Sequence, residues 1–207
     1  MAVDSFDLFN ASDYDIVAGV DEAGRGALAG PVVAAAVILD PFRSIQGLAD
    51  SKQLSEAKRE ALAPIIRERA LAWAVGSADV HEIAKLNILQ ATLLAMWRAV
   101  DALKKTPDFV RVDGNQLPKW PYLCEAVIKG DSKVDCISAA SIIAKTTRDA
   151  IMRDYALRYP EYGFEHHMGY GTAEHLKAIE TCGVLPIHRT TFKPFRVEAD
   201  DESDDSK

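Results

Sequence analysis

Cysteine is scarce in this 207-residue chain: Cys124, Cys136 and Cys182 are odd in number and far apart. They match neither a zinc spacing nor a disulfide framework, which points to a reducing compartment. Long hydrophobic runs are also missing. The longest, residues 27–39, is interrupted by Pro31 and falls short of the ~20 apolar residues that a spanning helix needs. The first fifteen residues hold acids and no Lys or Arg, which excludes an ordinary secretory signal. Together these absences predict a cytoplasmic protein with no membrane partner. No internal repeat is visible, the histidines form no HExxH spacing, and no nucleophile elbow accompanies a serine.

What is present is an ordinary globular composition, 48% hydrophobic and 27% charged, enough to build a core without staples. The net charge of −7 argues at first against a nucleic-acid partner, but it is concentrated at the ends. Residues 198–207 carry a net −5 and residues 1–15 a net −4, which leaves +2 for the rest. A mildly basic body is compatible with a duplex. We therefore divide the chain into an acidic lead (1–15), a single catalytic domain (16–197) and an acidic disordered tail (198–207).

Apolar and β-branched runs predict strands at 16–20, 31–39, 71–77, 109–112 and 122–128. Helices are expected from Ser55, a plausible N-cap, to about Ala70; over 80–104, where Ile83, Leu86, Leu89, Leu93, Met96, Val100 and Leu103 recur at helical spacing; from about Ser138 to Tyr159, stopped by Pro160; and over 172–181, closed by Gly183. This order predicts an α/β fold, a mixed sheet with helices packed on it.

The densest chemistry is Asp21-Glu22-Ala23-Gly24-Arg25-Gly26 at the end of the first predicted strand. Adjacent carboxylates suit a hard cation, and a glycine-flanked arginine suits a phosphodiester. The element is not a Walker A loop, because the Gly-Lys-Ser/Thr ending is absent. Asp113 and Asp131 also fall at or just after predicted strand ends, where open α/β sheets form their sites. Four such acids can hold two divalent ions roughly 4 Å apart, which activate water and stabilise the leaving oxygen of a phosphodiester. Any single acid has the alternative of a wet strand end. Neighbours on a strand point to opposite faces, so Asp21 and Glu22 share a site only if the strand ends between them. For the fourth acid, Asp131 follows a strand directly. Asp135 fits a helix entrance, and Asp149 lies too far along the same helix.

The segments VAGVDEAGRGALAGPVVAAAVIL, LADSKQLSEAKRE, VRVDGNQLP, VIKGDSKVDCISAASIIAKTTRD, HHMGYGTAEHL and PIHRTTFKPF resemble bacterial ribonuclease HII, a type 2 ribonuclease H, over nearly all of residues 16–196. The resemblance implies an RNase H-like sheet with a helical C-terminal extension. It implies hydrolysis of the RNA strand of RNA–DNA hybrids and incision 5′ of single ribonucleotides in duplex DNA. The expected products are 3′-hydroxyl and 5′-phosphate ends, and the expected cofactors are two Mg2+ or Mn2+ ions. The family's catalytic and metal-binding acids match Asp21, Glu22, Asp113 and Asp131. Its ribose-reading element matches Gly24, Arg25 and Gly26, and its junction-sensing tyrosine matches Tyr170 in Gly169-Tyr170-Gly171. Ribonuclease HIII would carry a substantial extra N-terminal domain, for which fifteen residues are too few. We expect a monomer whose partners are RNA–DNA hybrid and ribonucleotide-containing duplex DNA.

Recognition must rest on the 2′-hydroxyl, which separates RNA from DNA. Peptide groups at Gly24 and Gly26 allow close approach, and exposed flanks leave Tyr170 free to pack on a sugar. Lys52 is a candidate phosphate contact, with a solvated loop lysine as the alternative. Arg25 has the alternative of an ion pair to a nearby acid, and Tyr170 that of an ordinary loop tyrosine. Lys145 and Arg148 fit either a duplex contact or a solvated helix face, and the histidines fit structural roles. Two other functions are compatible with the fold. A non-catalytic nucleic-acid-binding module would be expected to lose at least one acid. A 3′-to-5′ DNA exonuclease would be expected to tolerate loss of the ribose-reading pair.

Overall fold

The computed structural model describes residues 15–48 and 54–195. Lys52 and the acidic tail lie outside the described residues, as does the acidic lead up to residue 14. Five strands, β1 (Val17–Ala23), β2 (Val32–Ile38), β3 (Ala72–Ala78), β4 (Phe109–Asp113) and β5 (Cys124–Val127), form one sheet in the order β3-β2-β1-β4-β5. β1 pairs antiparallel with β2 and parallel with β4, so the sheet is mixed. β2 reads VVAAAVI and is buried at every position, as a strand covered on both faces must be. β3, at the sheet edge, instead alternates buried and more exposed residues.

Two helical layers cover the sheet. α2 (Val80–Leu86) and α3 (Ile88–Asp101) enclose one core, in which Ala91, Ala95 and Ala99 meet Ala34, Ala36 and Val20. On the other face α4 (Asp135–Arg158) lies across β1 and β2, with α1 (Glu56–Arg69) beside it. Ala139, Ala140 and Ile143 of α4 pack with Ala23, Ala35 and Val37. Small residues set this separation. At Gly19 of β1 an added Cβ would sit 2.2 Å from the Cys136 carbonyl carbon, so α4 reaches its close approach only over a glycine. The short α5 (Phe164–His167) and α6 (Ala173–Cys182) complete a helical C-terminal region on its own small core around Met152, Tyr162 and Phe164.

Most predicted elements are present, with three differences. The expected helix over 80–104 is two helices. Asn87 adopts a left-handed φ of 69° between them, and its side chain caps α3 by accepting the Gln90 amide at 3.1 Å. α4 begins three residues earlier than predicted, at Asp135, which takes its first turn. Most relevant to the site, β1 does not end between Asp21 and Glu22. It stays paired with β2 to Ala23↔Val33. What stops is its pairing with β4, at Val20↔Val112. The two acids therefore lie on a continuous strand whose β4 side has come free of the ladder.

Candidate active site

Asp21 is buried beside α4, hydrogen-bonded to Ser141. Its carboxylate also turns back on its own strand, where Oδ1 accepts the Glu22 amide at 2.7 Å. Burial raises the Asp21 pKa well above the usual carboxylate range; the charges of Glu22 and then Asp113 add to this, and the Ser141 bond opposes it. Glu22 is raised too, first by burial, although Arg25 counters with an ion pair at 3.2 Å and Asp113 pushes further up. The charges of Glu22 and Asp113 thus oppose the ionisation of Asp21, and that of Asp113 opposes the ionisation of Glu22. Asp113, the last residue of β4, accepts the Gly130 amide at 2.7 Å. Gly130 opens a 3-10 turn over Gly130–Ser132 that carries the fully buried Asp131 just ahead of α4, and Ser138 bonds the Asp131 carbonyl.

This donor set is all oxygen and rich in negative charge, the chemistry that suits a hard divalent cation. Among the described residues, however, no group of three or more His, Cys, Asp or Glu side chains is arranged to hold a metal ion. The rival acids occupy other roles. Asp135 opens α4, and Asp149 is buried in an ion pair with Lys145 at 2.7 Å.

Beside the acids lies a cleft of about 430 Å³, lined by Glu22, residues 23–26, Arg59, Ser141, Lys145 and Tyr170. It brings the predicted catalytic Glu22, the whole of Gly24-Arg25-Gly26 and Tyr170 to one surface across 148 residues of sequence from Glu22 to Tyr170. The glycines differ in what they do. Gly24 has φ +91° and presses on Arg148, whose Nε would lie 1.9 Å from an added Cβ. Gly26 meets nothing within 4 Å, so it leaves open space in the cleft wall. The flanks of Tyr170 are not loose either. The Gly169 carbonyl accepts the Leu28 and Ala29 amides at 2.8 and 3.2 Å, which ties the tyrosine loop to the segment following Gly26.

Arg148 is the main departure from the sequence reading. It is neither solvated nor available to a duplex, being fully buried and donating to the carbonyls of Pro31, Met168 and Ala29 at 3.0–3.1 Å. Its guanidinium also lies 5.3 Å from the centre of the Tyr170 ring, and Lys145 Nζ lies 6.0 Å from it. Arg189, equally buried, donates to the carbonyls of Gly30 and Arg25 at 2.9 and 2.8 Å, and burial beside Arg148 lowers its pKa to about 9. Two buried cations thus staple the 24–31 segment and the Tyr170 loop through backbone carbonyls. Sequence reasoning missed this because an arginine on an amphipathic helix reads as solvated. It also left Ser141 and Arg59 without roles, although Ser141 stands inside the SAASIIAK segment.

The sequence pattern of the ribonuclease HII family matches residues 18–195. This chain belongs to the ribonuclease HII family. It is 63% identical over 179 residues to a ribonuclease HII of Dechloromonas aromatica, covering 86% of this chain and 91% of that one. It is 61% identical over 184 residues to that of Laribacter hongkongensis, covering 87% and 92%. Among solved structures, the ribonuclease H2 of Pyrococcus horikoshii OT3 superposes with a TM-score of 0.74 at 29% identity, covering 87% of this chain and 95% of that one. The Bst ribonuclease HIII in complex with Mn2+ shares the fold at 20% identity and a TM-score of 0.59, over 80% and 70% of the two chains. The protein is accordingly an RNase H-type endonuclease acting on RNA–DNA hybrids. No helix among the described residues is long and apolar enough to cross a membrane.

Proposed function

We propose that this enzyme nicks duplex DNA on the 5′ side of single embedded ribonucleotides as well as cutting longer hybrids, leaving 3′-hydroxyl and 5′-phosphate ends. The observation that carries the reading is the shared cleft, where Glu22, Gly24-Arg25-Gly26 and Tyr170 face one volume. An enzyme that finds one ribonucleotide must contact its 2′-hydroxyl, and backbone groups at glycines, with no Cβ in the way, can approach it closely. Gly26, open to the cleft, supplies that approach. Arg25 has its charge shared with Glu22 and is half-exposed, so it can take a phosphate oxygen while staying at the acid. Tyr170, with the Arg148 and Lys145 cations over its ring, packs on the sugar that follows the ribonucleotide and senses the RNA-to-DNA junction.

Asp21, Glu22, Asp113 and Asp131 would hold Mg2+ or Mn2+, two ions in all; their all-oxygen chemistry supports this, as does the repulsion that Glu22 and Asp113 exert on Asp21 and that Asp113 exerts on Glu22. Bound divalent cations lower the pKa of water and neutralise charge at the phosphate. The chain's own part is to hold the acids in place: Ser141 and the Glu22 amide hold Asp21, and the Gly130 amide holds Asp113. The 2′-hydroxyl serves recognition and is not the nucleophile.

The test is a DNA duplex with one ribonucleotide, incubated with Mg2+ or Mn2+. A single nick 5′ of the ribonucleotide is expected, absent with chelator and in Asp113→Asn. Equal cutting of an all-DNA duplex would refute the specificity claimed.

A further inference from the structure

Three histidines scattered through the C-terminal sequence, His167, His175 and His188, are buried together beneath the Tyr170 loop. Their rings stack in sequence, with centroids 4.5 Å apart from His167 to His175 and 5.3 Å apart from His175 to His188. The bonding directions fix every proton. The Leu185 amide donates to His188 Nδ1 at 2.7 Å, so that nitrogen carries no hydrogen and the neutral ring carries it on Nε2. His188 Nε2 faces His175 Nε2 at 3.1 Å, which makes the latter the acceptor. The His175 proton is then on Nδ1, which donates to the Tyr170 carbonyl at 3.0 Å. That carbonyl also accepts the Thr172 amide at 2.8 Å, so both its lone pairs are used. His167 does the same for the residue before: its Nδ1 accepts the Gly169 amide at 3.2 Å and its Nε2 donates to the Tyr162 carbonyl at 2.9 Å.

We propose that His188 and His175 form a directional relay of neutral imidazoles, backed by His167, that positions Tyr170 for junction recognition. They are positioning residues, acting only through the tyrosine, and the inference rests on the role given to Tyr170 above. The relay is complete in one protonation state. A second proton on either ring would place two N–H groups face to face, or one against the Leu185 amide. Burial favours the neutral state of both rings, with the neighbouring imidazole adding to it: the His175 pKa is lowered and the His188 pKa falls to about 4. The titratable groups facing the pair are His167, across the ring of His175, and Tyr162, 5.6 Å from the His188 ring. No charged partner is needed, which is why such a chain survives in an apolar pocket lined by Phe164 and Phe195.

Two measurements test this on the intact protein. Imidazole 15N NMR of the wild type between pH 5.5 and 8 is expected to show His188 as the Nε2–H tautomer and His175 as the Nδ1–H tautomer; the opposite tautomer or a protonated ring at pH 7 overturns the relay. The second is the ratio of kcat/KM on a single-ribonucleotide duplex to that on a continuous hybrid. His175→Leu should lower this ratio about five- to tenfold, the loss of one hydrogen bond. His175→Asn, whose amide nitrogen takes the place of Nδ1, should recover most of it. Tyr170→Ala should lower the ratio too, with no further loss on adding His175→Leu. If Tyr170→Ala lowers the ratio and His175→Leu leaves it unchanged, the relay is wrong. If Tyr170→Ala itself leaves the ratio unchanged, the junction-sensing role is wrong, and the purpose assigned to the relay falls with it.

Discussion

Asp21 is a residue held against its own preference. It is 5% exposed, bonded to Ser141 and crowded by two further carboxylates. Ionising it there costs free energy that the fold supplies from elsewhere. Asp21→Asn keeps the shape and removes the charge. It should lower the cleavage rate roughly a thousandfold, by taking away a group that acts on developing charge. It should also stabilise the protein in chelator by about 1–2 kcal/mol, read as a melting temperature higher by about 2–8 °C. A variant that is inactive and less stable would mean that Asp21 is needed for packing rather than for chemistry. Arg25 serves the neighbouring acid, since it alone among the named influences offers Glu22 a positive charge. Arg25→Ala should weaken binding of a ribonucleotide-containing duplex about tenfold, measured by fluorescence anisotropy, and flatten its salt dependence.

Elements decide how these residues meet. The 24–31 segment is shaped by what lies under it, and Gly24 is the point of contact. Gly24→Ala adds a Cβ 1.9 Å from Arg148 Nε at φ +91°, so both strain and a clash follow. We expect a loss of about 2–4 kcal/mol by urea denaturation and a matching loss of activity, because Arg148 also supports Tyr170. The α2–α3 junction offers a contrast. Asn87→Ala removes the cap on α3 from a left-handed position and should cost about 1–2 kcal/mol. Because Asn87 does not line the cleft, the ratio of activities on the two substrates should stay unchanged. Helix α1 was legible from Ser55, and α6 from Thr172 and Gly183, because caps and stops are local. The split at Asn87 was not, since the apolar stripe runs straight through it and only the backbone angle interrupts.

Over the whole molecule, the histidine cluster makes stability depend on pH. His188 titrates near 4 when folded and near 6.5 when unfolded, so between these values the unfolded chain binds the extra proton. Its contribution is fully present above about pH 6.5 and is lost progressively as pH falls towards 4. Urea midpoints should therefore drop between pH 6.5 and 4.5, and His188→Gln should flatten that drop. A difference between wild type and His188→Gln that stays level across this window would show that His188 is not buried in the neutral state. The same cluster ties α6 and the segment after it to the Tyr170 loop.

The sequence alone determined the class of fold, the order of strands and helices, and the acids and glycines that carry the family pattern, because periodicity, capping and motif spacing are properties of neighbours along the chain. It also set the charge distribution that leaves the body mildly basic. Only the tertiary structure decided that Asp21 and Glu22 remain on one strand, since this depends on β2 staying paired with β1 past the point where β4 stops. It alone decided that Arg148 and Arg189 are buried staples and that three distant histidines stack beneath Tyr170. Burial and hydrogen-bond direction are set by contacts between residues far apart in sequence, and those contacts give a residue its pKa, its tautomer and its role.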